Sequence, residues 1–126
     1  MARDFFKEFE DFNLRSLSGG MFTVYQSIAK TTAIYPKEIG LAYVALGLTG
    51  EAGEIANKIK KIYRDKLEVN DELKQTLSKE IGDCLWYISA LCTELNLSLT
   101  DVANQNLEKL LDRKSRDKIS GEGDSR

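Results

Sequence analysis

Glu51-Ala52-Gly53-Glu54 and, further along, Glu80-Ile81-Gly82-Asp83 decide how this chain folds on paper. In each stretch two carboxylates stand three residues apart, a rotation of about 300° on an α-helix, so both acids of a pair project from one face. Each pair is a pincer. If the two helices pack antiparallel with the pincers facing, four carboxylates converge, which is unfavourable without a positive charge among them. A divalent cation meets that need. All-oxygen ligation with no histidine or thiolate suits a hard ion: Mg²⁺, with Mn²⁺ as a substitute.

Outward from the first pincer, residues 39 to 64 form the longest periodic segment. Leu41, Val44, Leu48, Ile55, Ile59 and Ile62 make a wide apolar stripe, and Glu51, Glu54, Lys58, Lys61 and Asp65 line an adjacent charged one. Its three-and-four spacing is that of a coiled-coil seam, here built from charges. One reading is a solvated face in which Glu54 and Lys58 form an ordinary i,i+4 pair. Gly47, Gly50 and Gly53 weigh against it, since each costs about 1 kcal/mol in a helix interior. Three glycines beside the acids predict close approach of another helix or of a ligand. Around the second pincer, residues 72 to 95 read as a helix with Leu73, Leu77, Cys84, Ile88, Leu91 and Leu95 on its apolar side and Glu80, Asp83 and Tyr87 on the neighbouring face. The connection between the two helices is polar, with Asp71 as the expected cap.

The outer segments are simpler. Phe5, Phe6, Phe9 and Phe12 form an aromatic stripe at helical spacing, which either docks a helix or stacks on a ligand base; a break follows at residues 16 to 20. Residues 21 to 34 read as a helix with Met21, Val24, Tyr25, Ile28 and Ala29 on one side, stopping before Tyr35-Pro36. Residues 97 to 100 read as a loop in which Thr100 caps a last helix from Asp101 to about Arg116, carrying Asn106, Lys109 and Arg113 at helical spacing. A polar, flexible tail follows at residues 117 to 126. With no alternating strand pattern, internal repeat or interdomain linker, the expectation is one all-α domain of four to five helices over residues 1 to 126.

Composition excludes several functions. A net charge of -2 offers no general attraction to nucleic acid or an acidic membrane. No apolar run has the length of a signal peptide or of a membrane span, so a soluble, cytoplasmic protein is expected. Cys84 and Cys92, eight residues apart on one predicted helix, have Cα atoms about 12 Å apart, too far for a disulfide, and read as reduced core residues. The chain has no histidine, which excludes Ser-His, Cys-His and His-metal chemistry and argues against a redox di-iron bundle, where two helices supply Glu-x-x-His. Phosphoryl chemistry fits better, because a hard cation bridges phosphate oxygens and nearby cations absorb developing charge. Lys58 and Lys61 lie beside the acids, and Lys109 and Arg113 follow further along. The alternative is a non-catalytic helical oligomer whose acids are merely solvated.

The run from Ala45 to Glu54, the following Lys58-Ile59-Lys60-Lys61 and Glu80-Ile81-Gly82-Asp83-Cys84-Leu85-Trp86-Tyr87 closely resemble the MazG-like all-α nucleoside triphosphate pyrophosphohydrolases. The likeness continues through Asn106 to Leu110, Arg113 and the Gly121-x-Gly123-Asp124-x-Arg126 ending, as in the short MazG-like proteins of bacteria and phages. That family's pattern is Glu-Glu-x-x-Glu, then Glu-x-x-Asp; Gly50 stands here in place of the first Glu. The resemblance implies a MazG-like helical bundle with Glu51, Glu54, Glu80 and Asp83 as Mg²⁺ ligands, fewer oxygens for a further metal, and hydrolysis of a nucleoside or deoxynucleoside triphosphate between the α and β phosphates. Glu51 or Glu54 would take the proton of the attacking water. Lys58, Lys61, Lys109 and Arg113 would contact phosphates, and Asn106 a base or phosphate, unless it only caps neighbouring backbone. Tyr87 either stacks on the base, packs near the sugar, or belongs to the core. Trp86 points elsewhere, toward packing or an interface. The tail's Asp124 and Arg126 would fold over the nucleotide. Members of the family assemble as dimers or tetramers, and the apolar surface of this small chain agrees.

Overall fold

The computed structural model of the chain describes residues 20–116. Among these residues are four helices and no strand: α1 (Gly20–Lys30), α2 (Gly40–Asp65), α3 (Asp71–Glu94) and α4 (Leu99–Ser115), with a short 3-10 turn at Lys37–Ile39. The all-α expectation holds. The phenylalanine stripe and the tail with Asp124 and Arg126 lie outside the described residues. The described residues divide into two compact units, one of residues 25–96 and one of residues 20–24 with 97–116.

The 25–96 unit is built on a hairpin of α2 and α3, joined by residues 66–70. At about 1.5 Å per residue, the 26 residues of α2 span roughly 39 Å. Two juxtapositions give its direction: a methyl added at Gly40 would meet Glu94, and one at Gly47 would meet the ring of Tyr87. Numbers rise along α2 as they fall along α3, so the helices are antiparallel. Gly47 thus admits an aromatic ring that any larger residue would displace, whereas Gly50 and Gly53 face open space. The predicted close approach is real at the first of the three glycines only.

Val44, fully buried, packs with Tyr35 and Ala90 at the centre, with Ala33, Trp86, Tyr87 and Leu91 against them. Tyr35 stacks on Tyr43 at 5.0 Å and meets Trp86 edge-on at 6.4 Å. Trp86 Nε1 donates to Thr32 Oγ1 at 2.8 Å, and its ring packs against the core cluster. The Tyr35 hydroxyl donates to Glu94, whose carboxylate lies against the first turn of α2, where Ile39 supplies no side-chain cap. A negative charge there complements the unsatisfied N–H groups of the helix start. The apolar stripe of α2 is wider than the face its neighbours cover: Leu41 and Ile59, on the same stripe as Val44, are exposed.

Helix ends depart from expectation by a few residues, each for a visible reason. α1 stops at Lys30 rather than 34 because the Thr31 and Thr32 hydroxyls donate to the carbonyls of Ile28 and Ala29, both at 2.7 Å. The cap of α3 is Asn70 instead of Asp71; its Oδ1 accepts from the Leu73 N–H at 2.9 Å. The cap of α4 is Ser98 instead of Thr100; its Oγ accepts from the Asp101 N–H at 3.2 Å, which moves the helix start to Leu99. Thr100 pairs with the Thr23 hydroxyl at 2.8 Å within the unit of the two ends. Both cysteines are free, Cys92 buried and Cys84 partly so. No helix among the described residues is long and apolar enough to cross a membrane.

Candidate metal centre

The antiparallel hairpin brings the two pincers side by side. Glu51 from α2 and Glu80 and Asp83 from α3 each offer a carboxylate oxygen within 4.8 Å of the others. Glu51 and Glu80 are half-buried and Asp83 is exposed. Oxygens so spaced suit a hard cation, whose ligands on opposite sides lie roughly 4 to 5 Å apart at metal–oxygen distances of about 2.0–2.5 Å. Glu54, one turn after Glu51, is not in this trio; its side chain is 57% exposed and lies 3.6 Å from Lys58 Nζ. Lys58 reaches across the hairpin as well, placing its ammonium 2.8 Å from Glu80 Oε1.

The charges respond to one another. Burial, followed by the neighbouring charges of Asp83 and Glu80, pushes the Glu51 carboxyl above the ordinary glutamate range. Glu80 goes the other way, held down by the Lys58 hydrogen bond, and Lys58 is raised by the same contact. Two adjacent carboxyls are thereby driven apart, Glu51 toward its protonated form and Glu80 toward its charged form.

Tyr87 lies next to this cluster with its ring over Gly47 and edge-on to Trp86 at 5.0 Å. Burial raises its hydroxyl first, with Tyr43 and the Glu51 and Asp83 charges adding to the effect. Tyr25 of α1 also feels Asp83, after burial, and Tyr43 hydrogen-bonds Tyr87; neither stood out in the sequence. Tyr25 follows Val24 in what reads as an apolar face, and Tyr43 has no acidic motif beside it. Lys61 lies exposed on α2. Asn106, Lys109 and Arg113 lie on α4, in the other compact unit, with Arg113 buried and the other two exposed.

A helical hairpin that gathers carboxylates from facing helices, without histidine, defines a class of all-α proteins with an acidic cluster at the helix contact. The chain belongs to the MazG nucleotide pyrophosphohydrolase domain family, whose pattern matches residues 41–116, from the first turn of α2 to the end of α4. It is similar to the Gene 37 protein of Mycobacterium phage L5, at 48% identity over 110 residues that cover 82% of this chain and 96% of that protein. No solved structure matches the chain significantly.

Proposed function

We propose that the protein is a Mg²⁺-dependent nucleoside triphosphate pyrophosphohydrolase that cleaves a nucleotide between its α and β phosphates, releasing the monophosphate and pyrophosphate. The observation that carries this reading is the convergence of Glu51, Glu80 and Asp83 within 4.8 Å, in a chain of this family. These three would hold the ion, which when bound neutralises phosphate charge and lowers the pKa of a bound water. Glu54, outside the trio and exposed beside it with Lys58 Nζ 3.6 Å away, is the carboxylate that would take a proton from the attacking water, ahead of Glu51, which is engaged with the other acids. Lys58 and Lys61 on α2 contact phosphates, and Tyr87 borders the base or sugar. The assignment of Asn106, Lys109 and Arg113 to the same substrate follows the sequence pattern. The working form is a homo-oligomer in the cytoplasm.

The test is release of pyrophosphate from a panel of canonical and modified NTPs and dNTPs, with Mg²⁺ and with EDTA. Metal-dependent monophosphate plus pyrophosphate is expected, and inorganic phosphate plus a diphosphate overturns the assigned bond. Asp83→Asn should abolish turnover through lost metal. Glu54→Gln should lower kcat by about 10² or more while leaving metal binding in place, the range set by loss of a general base. If both variants act like a folded but inactive wild type, the helical interaction module is the better reading.

A further inference from the structure

We propose that Lys58 is the resident counter-cation of the acidic cluster: its ammonium neutralises the carboxylates in the metal-free protein and must leave Glu80 for a divalent ion to bind. The inference rests on the metal reading above and adds to it a competitor built into the chain. Sequence spacing alone pairs Lys58 with Glu54 along one helix turn. The structure instead gives the shorter contact to Glu80 of the opposite helix, 2.8 Å against 3.6 Å. Lys58 and Glu80 are only 24% and 19% exposed, so the pair is screened less than a surface bridge.

Glu80 is also one of the three acids whose oxygens converge. An ammonium and a divalent ion repel each other, and a Glu80 oxygen that accepts from Lys58 has less to give a metal. Glu54 offers the ammonium somewhere to go. It already lies 3.6 Å from Lys58 Nζ and is more exposed, so a change of side-chain rotamer moves the charge from Glu80 to Glu54 with no change in backbone. A lysine displaced in this way remains beside the bound ion, and the anionic oxygens of a phosphate chain then draw it off Glu54, leaving that carboxylate to accept the proton of the attacking water. Lys58 is thus a positioning residue that exchanges partners.

Mn²⁺ binding without nucleotide, followed by the EPR signal of the free ion at neutral pH, tests this in the full chain. Lys58→Met keeps the aliphatic stem and removes the charge. It should bind Mn²⁺ about tenfold more tightly than wild type, as expected for loss of one close charge-assisted contact. Lys60→Met, which removes an equal charge from the same helix away from the carboxylates, should stay within about twofold, as a screened surface charge does. Unchanged or weaker binding by Lys58→Met, with wild type binding normally, overturns the role of Lys58 and leaves the metal reading intact. No binding by either protein overturns both. A second measurement uses the wild-type chain alone: after reductive ¹³C-methylation, the Lys58 resonance should shift as Mg²⁺ is added while that of Lys60 does not. A Lys58 resonance that stays put at saturating Mg²⁺ also overturns the proposal.

Discussion

Two glycines one turn apart on α2 should respond to the same substitution with opposite sign. Alanine is better than glycine in a helix interior by about 1 kcal/mol, and at Gly50 the new methyl meets nothing, so Gly50→Ala should stabilise by roughly that amount. At Gly47 the methyl would overlap the Tyr87 ring, so Gly47→Ala should lower the urea midpoint despite the same gain in propensity. Equal effects at both positions would show that Tyr87 does not pack on Gly47. The glycines were conspicuous in the sequence, but which one meets a partner was not. Three residues advance about 300°, so Gly50 and Gly53 fall back about 60° and 120° from Gly47 and leave the face that meets α3. The same geometry predicted four converging carboxylates from the two pincers; Glu51, Glu80 and Asp83 do meet, while Glu54, turned back about 60° from Glu51, stays outside beside Lys58. The Lys58 contact to Glu80 was not legible, since a flexible stem chooses its partner only once the helices are packed. Tyr35 adds a pH dependence. Burial and the hydrogen bond to Glu94 push its hydroxyl from 10.0 up to about 12. The neutral phenol is favoured in the folded state, so its contribution is complete below pH 10 and is lost as pH rises toward 12. The stability difference between wild type and Tyr35→Phe, from urea unfolding at pH 8 to 12, should therefore shrink across that window.

The helices themselves were legible to within a few residues, because apolar periodicity over more than twenty positions outweighs local ambiguity. Their ends were not, because caps are decided by single backbone conformations. Asn70 and Asp71 are both good N-cap residues, and only the extended backbone at Asn70, with its contact to the Leu73 N–H, shows which is outside the helix. The end of α2 falls at Asp65, one residue beyond the expected Arg64, but the conformation that closes it carried no signal. Lys66 adopts φ 51 and ψ 44, a left-handed conformation usually given to glycine, and the Leu67 N–H then bonds back to the Ile62 carbonyl at 2.9 Å. A lysine holds this conformation at a cost of about 1 kcal/mol relative to glycine. Lys66→Gly should therefore raise the urea midpoint, with a gain up to about 1 kcal/mol after the added entropy of the unfolded chain is discounted. A loss of stability would mean that the lysine side chain, and not its backbone, secures the hairpin connection.

At the scale of the whole chain the issue is how much apolar surface one copy leaves uncovered. Among the described residues the apolar core is small, centred on Val44, Tyr35 and Ala90, while Leu46, Tyr63 and Ile81 of the hairpin are 73%, 80% and 58% exposed. Single exposed apolar residues are ordinary, but several on two long helices joined in one hairpin offer a surface that a second copy can cover. The wide stripe of α2, in which Leu41 and Ile59 are exposed, points the same way. Sedimentation velocity at micromolar concentration should give a homo-oligomer, and Leu46→Asp with Tyr63→Asp should shift it toward monomer, because a buried, unpaired carboxylate opposes association. Both positions are already exposed in the single chain, so the helical content of the double variant should be retained. If Mn²⁺ binding survives in the monomer, Glu51, Glu80 and Asp83 of one hairpin suffice for the ion and assembly serves the nucleotide. A wild-type chain that sediments as a monomer at every concentration would show instead that the exposed stripe of α2 is tolerated in water and that no second copy is needed to complete the fold.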